Sequence, residues 1–111
     1  MEQQIQAYLG HIRNDYANWI DRLMDNRNLK IKAQMIEEFW NGVRVEEGRT
    51  YIKVVTRTSV TSVHSFIVKE DGPKFRKGDI LKAASWKAPA KNFARGNILD
   101  EKWSNTTWAG A

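Results

Sequence analysis

The residues with the greatest chemical potential in this chain lie close together. Between Lys74 and Arg95 stand seven basic residues, Lys74, Arg76, Lys77, Lys82, Lys87, Lys91 and Arg95, against one acid, Asp79. Trp86 and Phe93 are interleaved among them. Lysine and arginine neutralise phosphates and release the counterions condensed on a nucleic acid. An aromatic face stacks on an unpaired base, which is worth about 1–3 kcal/mol per base. Single-strand or RNA binding needs both ingredients together. A plainer reading is equally consistent with the composition: Trp86 and Phe93 join a core, and the lysines solvate a loop. Ala83, Ala84, Ala88, Ala90 and Ala94, with Pro89 and Gly96, would let that loop pack closely across one end of a barrel. In that reading Asp79 accepts hydrogen bonds from turn amides, and Arg95 and Asn97 tie the loop to the sheet.

The residue types of a hydrolase also occur. His64 stands in a strand-like run, with Ser62 on the same face two residues earlier and Ser65 expected on the other, and Asp79 would supply the acid type. A triad needs nucleophile, base and orienting acid to converge, and no nucleophile-elbow context surrounds these residues. The expectation is no catalysis and no catalytic residue. His11, the other histidine, falls in the N-terminal helix. Glu37-Glu38 and Glu46-Glu47 are adjacent pairs, and neighbours do not share a direction on a helix or strand. No spacing suggests a metal site, and no glycine-rich loop suggests a phosphate cradle. No cofactor is expected.

The elements that must carry these residues divide the chain in two. Ile5, Tyr8, Leu9, Ile12, Tyr16, Trp19, Ile20 and Leu23 recur at helical spacing, and a bend at Gly10 is allowed. Asp25–Asn28 is turn-prone, and Asn28 is placed to cap a second helix carrying Ile31, Met35, Ile36, Phe39 and Trp40. Asn41-Gly42 is a plausible stop. From Tyr51 the period changes to two. Tyr51–Thr56 and Ser62–Val68 are rich in β-branched and aromatic residues, and the short link between them suits a hairpin. Glu70–Pro73 is a turn signal. A third strand is predicted at Ile80-Leu81, a fourth at Asn97–Leu99 and a last at Thr106–Trp108, with Pro89 breaking the segment between. The expected fold is α+β: an N-terminal helical pair, residues 1–45, on a small, strongly curved antiparallel sheet or barrel-like module, residues 46–111. One compact domain fits a chain of 111 residues.

Charge follows the same division. Residues 1–50 hold seven basic and eight acidic residues, whereas residues 51–111 hold eleven basic and five acidic ones. The entire net charge of +5 therefore resides in the second half, where its field would steer an anionic partner. With no cysteine, no leader-like N-terminus and no apolar run of about 20 residues, a reducing, cytoplasmic setting without membrane contact is expected.

The stretch GDILKAASWKAPAKNFARGNI, Gly78–Ile98, together with Tyr51–Val55, Ser62–Phe66 and Trp108–Ala111, resembles a family of small proteins from tailed bacteriophages. The resemblance covers about half the chain and does not extend to residues 1–35. It implies origin and compartment, a phage protein made in a bacterial host's cytoplasm, and transfers no activity. Joined to the charge pattern, it leads to an accessory protein whose 74–95 loop binds an anionic partner, with nucleic acid, DNA or RNA, as the first expectation. Two other functions fit the same residues. The apolar supply of Tyr8, Trp19, Met24, Met35, Phe39 and Trp40 would suit a module that covers an acidic host enzyme or defence complex, and a minor particle component is a third.

Overall fold

In a computed structural model, which describes residues 1–24, 28–103 and 105–111, the chain folds as two helices and an antiparallel sheet. Helix α1 runs unbroken through Gly10 from Glu2–Leu23, and α2 covers Leu29–Gly42. Five strands follow: β1 at Arg44–Glu47, β2 at Tyr51–Arg57, β3 at Thr61–Val68, β4 at Asp79–Lys82 and β5 at Gly96–Asn97. They pair in chain order as an antiparallel meander, β1-β2-β3-β4-β5. The sheet is open, with β1 and β5 at opposite ends, so the barrel-like alternative is corrected. A barrel requires its first and last strands to pair, and here those are only four and two residues long.

The α1 pattern buries Ile5, Tyr8, Leu9, Ile12, Tyr16 and Ile20 against the inner face of the sheet, where Ile52, Val54, Ile67, Ile80 and Ile98 complete one core. Each such aliphatic side chain contributes roughly 1.5–3 kcal/mol when fully buried. On α2, Lys32 and Phe39 alone reach full burial. Asn28 occupies the N-cap position of α2 but makes no side-chain capping bond, contrary to expectation. The remainder of the predicted 25–28 turn lies outside the described residues.

The C-terminal segment crosses the helices instead of extending the sheet. The predicted strand at Thr106–Trp108 is replaced by a tight turn in which Thr107 bridges Gly110. This turn inserts Trp108 among Tyr16, Trp19 and Phe39, with ring centroids 5.0, 4.8 and 5.9 Å away. Tyr16 and Phe39 stack at 4.0 Å beneath it, and the Asp15 carboxylate accepts the Trp108 backbone N–H at 2.8 Å. The large, rigid indole thus packs on side chains of both helices, adding to the direct α1–α2 contact that the Tyr16–Phe39 stack makes. Trp103 likewise packs on Tyr8 and His11.

A bulge in β3 explains a second departure. Val54 pairs Ser65 and Val55 pairs Val63, so His64 is the extra residue opposite no partner. A bulge places two successive side chains on one side of the sheet. His64 and Ser65 therefore both face α1, and the expected alternation, with Ser65 opposite to His64, fails there. The Ser65 hydroxyl lies 2.9 Å from His64 Nδ1 and 2.8 Å from the Tyr8 hydroxyl. His64 Nε2–H donates to the Thr107 carbonyl at 2.6 Å.

Candidate nucleic-acid interface

The outer face of the sheet is covered by the cationic segment. Phe66, Val68 and Leu81 form a second, smaller core there, flanked by half-buried Tyr51, Val63, Phe75, Ala83 and Ala94. The covering loop is built by backbone bonds to β4: Ala90 N–H donates to the Lys82 carbonyl and Arg95 N–H to the Ile80 carbonyl, each at 2.7 Å. Pro89 is buried and bridges Ala83. Ala84 and Ser85 N–H both donate to the Ala88 carbonyl at 3.0 Å, and the Ser85 hydroxyl accepts from the N–H of Lys87 and Ala88. This tight turn carries Trp86 at its tip.

Trp86 is 44% exposed and Phe93 56% exposed, so neither joins a core. Both rings carry cations. Lys53 Nζ stands 4.5 Å from the Trp86 ring centroid, and the Arg95 guanidinium 4.0 Å from that of Phe93. Arg95 Nε is buried and has no hydrogen-bond partner among the described residues. Lys53 was not among the residues singled out from the sequence. Its period-two position beside Tyr51 placed it on the outer face, which was the available signal.

The sequence-predicted cations do not form one surface. Lys87 lines a groove of about 440 Å³ with Tyr51, Lys53, Phe66 and Arg49. Lys74 and Lys91 line a second hollow of about 270 Å³ with Tyr51, Val68, Pro73 and Phe75, and Lys74 donates to the Lys91 carbonyl. Lys82 follows Leu81 in β4. By alternation it leaves on the side of Ile80, the inner side, opposite Ser65. Arg76 is held by Asp100, and that pairing raises the guanidinium pKa and lowers the carboxyl pKa. Lys77 is exposed, and its backbone N–H donates to Asp71.

Asp79 and Asn97 brace this surface from beneath. Asp79 accepts the Arg76 N–H at 2.8 Å and the Asn97 side-chain amide at 2.9 Å. Asn97 also donates to the Lys77 carbonyl and accepts from the N–H of Leu99 and Asp100. Gly78 takes a φ of +89° at this turn, a conformation that glycine adopts without a Cβ clash.

The hydrolase residues are not brought together. The Asp79 carboxylate is committed to Arg76 and Asn97, Ser62 is exposed, and the ring nitrogens of His64 face Ser65 and Thr107. Burial holds the His64 imidazole down to about 4. The ring is thus neutral near pH 7, with Nε2 protonated because a carbonyl can only accept. Among the described residues no group of histidines and acids is arranged to hold a metal, and no helix is long and apolar enough to cross a membrane.

The fold and surface define an α+β protein with a cation-and-aromatic crossing on one side of its sheet. Over its whole length, residues 1–111, the chain belongs to a family of unknown function (DUF7717). No curated protein matches it, and no solved structure does.

Proposed function

We propose that the protein is a phage accessory factor of the host cytoplasm that binds single-stranded nucleic acid through the outer face of its sheet. The observation that carries this reading is the placement of Trp86. It projects from a hydrogen-bonded turn, 44% exposed, with Lys53 over its ring and Lys87 next to it in the chain. A rigidly mounted indole flanked by ammonium groups suits a base on the ring and phosphates on either side. Lys87 and Lys91 are the phosphate contacts, with Arg95 and Phe93 extending the track. The phage origin rests on the resemblance of Gly78–Ile98.

The test is fluorescence anisotropy of a labelled single-stranded oligonucleotide across a salt series. Affinity is expected to fall with a log–log slope of about −0.7 per phosphate contact. Lys87→Glu with Lys91→Glu should abolish binding at moderate salt, while Lys82→Glu, on the other side of the sheet, should change it little. Absence of any retention at low salt overturns the proposal.

One observation favours a second reading, a host-protein modulator. Helix α2 leaves Leu29, Ile31 and Trp40 exposed, an apolar supply of the kind that marks protein contacts. In that case affinity capture from infected cells returns one stoichiometric partner that survives nuclease treatment.

A further inference from the structure

Tyr51 was not expected to have a functional role, yet it stands between the two hollows of the outer face. It lines the 440 Å³ groove beside Lys53, Phe66 and Lys87, and it also lines the 270 Å³ hollow formed with Val68, Pro73 and Phe75. Its ring is held in place, since Phe66 meets it edge-on at 5.9 Å and 71°. The second hollow lies below the roughly 300–1,000 Å³ usual for a whole small ligand. Its size and apolar walls suit one flat ring, and its lysines, Lys74 and Lys91, stand at the rim.

The charge of both hollows favours an anion. Arg49, Lys53, Lys74, Lys87 and Lys91 face three acids, Glu46, Glu47 and Glu70. Two of these acids are answered by cations outside the hollows: Glu46 pairs with Arg44 at 2.8 Å and Glu47 with Lys69 at 2.9 Å. Positive charge is therefore in excess in both hollows, beside the aromatic rings of Tyr51 and Phe66 in the first and the apolar side chains of Val68, Pro73 and Phe75 in the second.

From this arrangement we infer that Tyr51 is the dividing wall between two base subsites. One unpaired base of a strand stacks at Trp86, and a neighbouring base inserts at Tyr51 beside Phe75, with the intervening phosphates on Lys87 and Lys91. The inference rests on the nucleic-acid reading and adds to it a second binding residue and a minimum ligand of more than one nucleotide.

The test uses an eight-nucleotide single strand, in DNA and in RNA form, against the full chain. Tyr51→Ala should weaken binding at least fivefold with the salt slope unchanged, because a stack and not a charge is lost. Tyr51→Phe should bind within twofold of the parent. The second measurement leaves the protein untouched: abasic sites are moved along the oligonucleotide one position at a time. Two separate positions should each lose affinity. If Trp86→Ala weakens binding while Tyr51→Ala does not, and one abasic position alone matters, the Tyr51 subsite is wrong and the nucleic-acid reading stands. If the parent protein binds neither strand, both are wrong.

Discussion

Lowering the pH from 7 to 4.5 should remove about 2 kcal/mol of stability through one side chain, His64. The ring is 3% exposed, and its pKa falls from 6.5 to about 4, with burial the largest cause. In the unfolded chain the imidazole charges as pH drops through its ordinary value. In the folded chain it stays neutral until pH approaches 4. Between those values the unfolded state binds more protons, so the contribution is fully present above the unfolded pKa and is lost as pH falls toward the folded one. The Thr107 carbonyl, which accepts from Nε2–H, opposes this shift by favouring the charged ring, while His11 on α1 adds like-charge repulsion; burial outweighs the carbonyl. The assay is urea unfolding at pH 7 and pH 4.5. With a slope near 1–2 kcal/mol/M, His64 should move the midpoint by about 1–2 M. Carboxylates titrate in the same window, so the comparison is His64→Gln, whose amide can still donate to the Thr107 carbonyl. That variant should show a pH dependence smaller by about 2 kcal/mol. Equal pH dependence in the two proteins would refute the reasoning.

Two glycines should respond in opposite ways. A Cβ on Gly96 would stand 2.0 Å from the Lys102 carbonyl oxygen, so Gly96→Ala should cost about 2 kcal/mol or more by thermal unfolding. Gly10 has open space around its Cβ position in mid-helix, and Gly10→Ala should stabilise by about 0.5–1 kcal/mol. Trp108→Ala removes the indole that joins Tyr16, Trp19 and Phe39, and chemical denaturation should register a loss of about 3 kcal/mol.

The helices and the two long strands were legible in the sequence because their apolar spacing follows the burial they achieve. Edge strand β1 was not: Arg44, Glu46 and Glu47 carry charge, as exposed edges do, and leave no alternation to read. The bulge at His64 was equally hidden, since a single unpaired residue reverses the facing of Ser65 without altering composition. Three of the five tryptophans, Trp19, Trp103 and Trp108, serve packing, whereas Trp40 and Trp86 are exposed. Nothing in the residue types separates these groups. The cationic loop was visible as a charge run, but its division was not. Strand alternation sends Lys82 inward-side while the turn after Ala84 returns Lys87 and Lys91 over the outer face. Tyr51 and Lys53 escaped notice for a related reason: their partners lie more than thirty residues further along the chain, at Trp86 and Lys87.

The most direct measurement is the salt dependence of single-strand binding by the parent protein and by the Lys87→Glu, Lys91→Glu double variant. The parent should bind more weakly as salt rises, and the double variant should lose binding while unfolding at the same temperature as the parent. Indistinguishable affinities, or a parent affinity indifferent to salt, would contradict the assignment of this face to nucleic acid.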